Sequence, residues 1–234
     1  MEFKGKLIHC NEICEKIEDC PVKIDNYKYE FSMNVHSFKE SFFEDLGLEY
    51  ILDYFLDLDN ESKHFHIAVH SMSTNTCQEK AKIINFPLER VIKGFYLEDF
   101  KEKKIYGIAI PGNETYDKLK IADFLGINRY SLDGRIGKTK ERMPVNIKYG
   151  VVHPFVNEDS FALTDKLESI LFDKIYLEKS RNNNYLDDFS FTTHESSGYN
   201  NHNISIQINY SDAFDILKNK FGEDKIKAID LVNV

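Results

Sequence analysis

The reading turns on Glu89 to Ile127, ERVIKGFYLEDFKEKKIYGIAIPGNETYDKLKIADFLGI. Two apolar runs stand out in it, VIKGFYL from Val91 and IYGIAI from Ile105, both rich in Val, Ile, Tyr and Phe. These residues suit a pleated, half-buried surface, so both runs read as strands, joined by the charged turn around Lys101 to Lys104. Pro111-Gly112 punctuates the second strand, and TYDKLKIADFLGI reads as a helix. Lys93 interrupts the first strand. A lysine there reaches out to solvent from an edge or sits in a pocket facing an anion.

Towards the N-terminus, His64 to His70 (HFHIAVH) reads as a strand. Thr76 and Glu79 then form a capping box, and the helix they open buries Cys77, Ala81 and Ile84 and ends at Pro87. Before these, Tyr27 to Val35 alternates as a strand does. Residues 40–58 carry Phe43, Leu46, Tyr50, Ile51, Tyr54 and Phe55 at helical spacing. DNESK at 59–63 interrupts the apolar pattern and suggests a division into an extension, 1–69, and a main domain, 70–234.

Towards the C-terminus, a basic stretch from Asn128 to Gly150 leads into VVHPF. Further strands are expected around Phe161–Thr164, Asp173–Glu178 and Ile204–Asn209. A helix follows, with Ser211 as its cap and Gly222 just past its end, and a last strand spans KIKAIDLV. Strands outnumber helices and are joined mostly by short turns. The expected class is α+β: a mixed, partly closed sheet with surrounding helices, plus an N-terminal α/β appendage.

The composition fits a globular chain. Of 234 residues, 42% are hydrophobic and 13% aromatic, too many for disorder. The net charge of −9 argues at first against a nucleic-acid ligand, but it is unevenly spread. Residues 1–69 carry −8 and the remainder −1, while residues 118–148 hold a local +5. No apolar run approaches the ~18 residues needed to span a bilayer. The start of the chain has acids every few positions instead of a signal-peptide core, so a soluble, cytoplasmic protein is expected. Cys10, Cys14, Cys20 and Cys77 then read as free thiols. His9 with the first three cysteines matches no common zinc spacing. His64, His66 and His70 share one strand face, which can ligate a metal, but no acidic or Cys ligand motif accompanies them and an exposed edge strand is the plainer reading.

The chain has no nucleophile elbow, zincin helix, Walker loop or dinucleotide fingerprint. Lys93 and the loop Gly150-Val151-Val152-His153-Pro154 remain as candidates. In such a loop Gly permits close approach, Pro stiffens the far end, and successive amides can point into one concavity that holds an anion or a developing oxyanion.

The order of these motifs resembles the YbaK/prolyl-tRNA-synthetase-associated domain family over residues 70–234. Arg90 and Lys93 resemble that family's arginine–apolar–apolar–lysine strand, Asp117, Lys120 and Leu125-Gly126 its helix, and Gly150 and Pro154 its GxxxP loop. The resemblance implies an editing enzyme that acts in trans and hydrolyses the ester of a mischarged tRNA, of tRNA(Pro) type, with no metal, cofactor or protein nucleophile. By carry-over, Lys93 orients the terminal aminoacyl-adenosine and the Gly150–Pro154 amides polarise the ester carbonyl. Gly94, Val151, Val152 and His153 would line the substrate, and Arg135, Lys138, Lys140 and Arg142 would meet tRNA phosphates. A mischarged tRNA is the implied partner and an aminoacyl-tRNA synthetase a further one, with no membrane and no DNA. Gly94 stands where many members carry a polar residue, and 191–208 (FTTHESSGYNNHNISIQI) has His194 and His202 but lacks the His-Pro of the Ala-specific branch. The alternative reading is a non-catalytic tRNA- or synthetase-binding module of the same fold.

Overall fold

The computed structural model describes residues 2–3, 6–9, 33–34, 54, 63, 65–70, 76–83, 86–133, 153–156, 167–183, 185–192 and 203–232. For 2–3, 6–9, 33–34, 65–70, 83, 133, 190–192 and 203–205 this is the course of the backbone. The strands are β1 (Glu2–Phe3), β2 (Lys6–His9), β3 (Met33–Asn34), β4 (Phe65–His70), β5 (Val91–Asp99), β6 (Lys104–Pro111), β7 (Leu132–Asp133), β8 (Leu167–Asp173), β9 (Asp187–Thr192), β10 (Asn203–Ile208) and β11 (Ile226–Ile229). The α-helices are α1 (Cys77–Ile83), α2 (Lys118–Leu125), α3 (Lys174–Arg181) and α4 (Tyr210–Phe221), and a short 3-10 helix covers Leu88–Arg90.

A mixed sheet with the order β11-β8-β6-β5-β9-β10-β4-β2 organises the molecule, with β7 paired to the far end of β5. The fold is therefore α+β, as the strand-rich pattern predicts. β5 and β6 form the expected antiparallel pair, with Lys93 opposite Ile110 and Gly94 opposite Ala109. β8 lies parallel to β6, and β11 parallel to β8. The boundary expected at residue 69 falls inside β4, which pairs with β10 and, in parallel, with β2. The helix read over 40–58 lies outside the described residues except for Tyr54, which is helical and buried. The strand expected near Phe161–Thr164 also lies outside them, as does Ile84.

Side chains alternate across each strand, so the sheet has two distinct faces. On one, Val91 packs with Ala81 and Phe86 beside α1, and Leu97 with Ile108, Ile110 and Ile121 beside α2. On the other, Phe172 meets Tyr210 and Phe214 of α4 edge to face, at 5.0 and 5.4 Å. Fully buried Tyr210 fastens this second face: its hydroxyl donates to the Ala109 carbonyl at 2.6 Å and accepts from the Asp173 amide at 2.8 Å.

Local chemistry sets the helix ends. Asp117 caps α2 by accepting from the Leu119 and Lys120 amides, and Gly126, at φ 65°, closes it in the left-handed region that favours glycine. Thr76 Oγ1 accepts from the Glu79 amide at 3.1 Å, as a capping hydroxyl should. Two readings need correction. Asp173–Glu178 is not a strand: β8 occupies the apolar run before it, and Asp173 starts α3 by accepting from the Tyr176 amide at 2.7 Å. Ser211 is not the cap of α4. Asn209 is, and it accepts from the Ser211 amide at 2.9 Å.

Candidate functional site

β5 departs from a fully paired strand in its middle. β9 pairs with it at Val91 and Ile92 alone, and β7 at Glu98 and Asp99. Between these points no described strand covers that edge of β5. Lys93, Gly94 and Phe95, half-buried, begin this opening, whereas Val91 and Ile92 before them and Tyr96 to Asp99 after them are buried. The sequence pattern places Lys93 in a strand, and the sheet topology turns its position into the start of a gap.

The Lys93 ammonium donates to the carbonyl oxygen of Glu114, just past the Pro111-Gly112 turn. That turn fits tightly. A Cβ on Gly112 would come within 2.9 Å of Cys77 Cβ and 2.8 Å of the Val91 carbonyl oxygen, so glycine is what lets the turn sit against α1 and the root of β5. Cys77, a free thiol, faces Lys93 and Lys80 across this seam. Burial pushes the thiol's pKa up, opposed by the two ammonium charges.

Lys80 lies behind Cys77, one helical turn on, and is 2% exposed. Its ammonium lies 3.3 Å from Asp188, itself fully buried on β9. Asp188 also accepts from Gln207 Nε2 at 3.2 Å. Desolvation holds the Lys80 pKa below the usual lysine value, partly offset by the attraction of Asp188. The sequence reading missed this pair. A signal was present, because Lys80 falls on the same face as Cys77 and Ala81, at helical spacings of three and four. A lysine on a buried stripe needs a carboxylate, and Asp188 supplies it from 108 positions away.

Of the GxxxP loop, His153 and Pro154 are described, and both are buried. Phe155 follows, fully buried, with its ring 5.3 Å from Phe189 and from Tyr54. The Tyr54 hydroxyl donates to the Val156 carbonyl, which ties a residue of the N-terminal third into the core. Burial drives the His153 pKa down to about 3, so the ring is neutral. Phe189 is registered opposite Ile92, one residue before Lys93, and alternation puts the two on opposite faces. Gly150, Val151 and Val152 lie outside the described residues, as do Arg135, Lys138, Lys140 and Arg142, and also His194 and His202.

Arg90 does not face the opening. Its Nε and Nη2 both donate to the Leu186 carbonyl, and its guanidinium lies between the rings of Phe86 and Tyr185, at 4.7 and 4.8 Å. It therefore joins the root of β5 to the approach to β9. Lys120 is likewise structural, bound to Asp230 at 2.9 Å and to the Val232 carbonyl at 2.8 Å. Beside Arg90, Asp187 accepts from the Tyr176 hydroxyl at 2.6 Å and from the Tyr210 amide at 2.9 Å. Desolvation raises its pKa to about 6, against the lowering effect of these bonds.

No family model matches this sequence, and no curated protein matches it either. The fold is similar to that of the hypothetical protein APE2540, over 79% of this chain and 100% of that one, with a TM-score of 0.51 and 13% identity. Two further solved structures align over 86% of this chain and 99% of theirs, at 14% identity. One is a proposed trans-editing enzyme for prolyl tRNA synthetase (TM-score 0.46), and the other is a scaffold for computational epitope grafting (TM-score 0.45). Identities this low bear on the fold alone. Among the described residues no helix is long and apolar enough to cross a membrane.

Proposed function

We propose that the protein is an aminoacyl-tRNA deacylase that acts in trans on mischarged tRNA. The supporting observation is Lys93: half-buried, where the pairing of β9 with β5 stops, with its ammonium bound to the Glu114 carbonyl just past the Pro-Gly turn, in a chain whose motif order resembles the editing-domain family. In this reading Lys93 anchors the terminal aminoacyl-adenosine of the tRNA. The amides of Gly150–Pro154 polarise the ester carbonyl, with Gly94, Val151, Val152 and His153 nearby. Water adds to the carbonyl carbon, the oxyanion is held by the amides, and collapse breaks the bond to the ribose oxygen. That oxygen takes up a proton released by the attacking water, and the products are free amino acid and uncharged tRNA. An aminoacyl ester is already activated, so positioning and oxyanion stabilisation suffice. Arg135, Lys138, Lys140 and Arg142 contribute phosphate contacts, and a synthetase is a further partner.

The test is deacylation of Ala-, Ser- and Cys-charged tRNA(Pro) and of other tRNAs. Lys93→Ala is expected to lower the rate on the order of 100-fold, the scale of lost positioning. No acceleration by the wild-type protein on any substrate rejects the enzyme. Saturable tRNA binding without turnover selects the binding module in its place.

A further inference from the structure

A second site lies at the far side of Arg90, away from Lys93. There a cleft of about 450 Å³ opens between the end of α3 and the start of α4, lined in part by Ser180, Arg181, Asn183, Tyr185, Ser211 and Asp212. Its volume falls within the usual range for small-molecule sites, roughly 300–1,000 Å³. Most of its lining is polar, and two of those groups are charged, Arg181 and Asp212.

Tyr185 is 52% exposed. One face of its ring is covered by the Arg90 guanidinium at 4.8 Å, and Arg90 is itself fixed by Phe86 and by the Leu186 carbonyl. The ring is thus the outer member of a Phe–Arg–Tyr stack and is held in place before any ligand arrives. A preordered, half-exposed aromatic ring beside a cleft is a low-entropy platform for another flat ring. Arg181 stands on the rim, 53% exposed, with Nη2 3.0 Å from Asp215. Asp212 lines the cleft with its carboxylate 2.8 Å from the Lys63 ammonium. A ring platform, a rim guanidinium and a carboxylate match the three parts of a ribonucleotide: base, phosphate and sugar hydroxyls.

We propose that this cleft binds a ribonucleotide, with its base stacked on Tyr185, its phosphate at Arg181 and its ribose hydroxyls donating to Asp212. The ligand is a free mononucleotide or an unpaired nucleotide of single-stranded RNA. The proposal stands on the cleft alone and does not require Lys93 or ester hydrolysis.

Ligand-observed NMR titration of the full chain with adenosine, AMP, CMP, GMP, UMP, dAMP and an RNA tetranucleotide tests it. The expected result is saturable binding that Tyr185→Ala weakens about tenfold, as loss of one base–aromatic stack would, and that Tyr185→Phe retains. Arg181→Gln should weaken AMP more than adenosine, and Asp212→Asn should narrow the preference for AMP over dAMP. Tetranucleotide binding more than about tenfold tighter than mononucleotide binding identifies RNA as the source, and equal binding identifies the free nucleotide. Absence of saturation with every probe overturns the proposal. So does a Tyr185→Ala protein, shown to be folded by circular dichroism, that binds as wild type does. Neither result touches the deacylation assay.

Discussion

Asp187 and Asp188 are neighbours in the chain, both almost fully buried, and they face opposite sides of one strand. Asp188 points towards α1 and meets a buried ammonium, Lys80. Asp187 points towards α3 and α4 and meets a hydroxyl and an amide. The first carboxylate is held by an opposite charge. The second is held mainly by hydrogen bonds, with smaller attractions from Arg90 and Lys179, and burial raises its pKa to about 6. A buried acid is thus a different object depending on whether its direct contact is an opposite charge or a hydroxyl and an amide.

The largest effect that sharpens the contrast is at Lys80. Lys80→Ala removes the buried ammonium that faces Asp188, and is expected to cost about 3–5 kcal/mol in chemical denaturation. The double variant Lys80→Met with Asp188→Leu should recover most of that loss. If the two single losses simply add in the double variant, the pair is not coupled.

Next comes Asp187. Its folded pKa lies above the unfolded value of 3.8, so the native state binds more protons between pH 3.8 and about 6. That contribution is complete below pH 3.8 and is lost as pH rises through 6, a span worth about 3 kcal/mol. Asp187→Asn removes the slope, and a difference in unfolding free energy between pH 4 and 7 that Asp187→Asn leaves unchanged would break the contrast.

His153 works in the other direction. Its folded pKa, about 3, lies below the ordinary 6.5, so the unfolded chain takes up the proton first. Stability is complete above pH 6.5 and falls on acidification, by about 2 kcal/mol at pH 5. The two slopes overlap and partly cancel between pH 4 and 6. The wild type should therefore show a flatter acid profile than either Asp187→Asn or a His153→Phe variant, and a steeper one would falsify the assignment.

The smallest effect is at Arg90, which lies between the two regions. Arg90→Lys loses the double donation to Leu186 and the stacking on Phe86 and Tyr185, and should cost about 1 kcal/mol in thermal unfolding.

Much of the fold is legible in the sequence where local signals are strong. β5, β6 and α2 follow from runs of strand-forming residues, a charged turn and a Pro-Gly turn, all within 39 residues. β8 is harder to read, because Ser169 to Asp173 is buried on both faces and shows no alternation, and Asp173, which ends it, is a helix cap inside the stretch that reads as a strand. At the candidate site Lys93 is visible as a lysine among apolar neighbours. Lys80 shares a stripe with Cys77 and Ala81, yet nothing nearby in sequence names its partner.

The sequence by itself determined the class, α+β, together with the Thr76 cap of α1 and the position of Lys93 on a strand, because these depend on neighbours within a few residues. Only the tertiary structure decided that the pairing of β9 with β5 stops at Ile92, just before Lys93, that Lys80 meets Asp188, and that two adjacent aspartates live in different chemistry. Those outcomes depend on which distant strand or helix arrives at each face, and no local pattern encodes that.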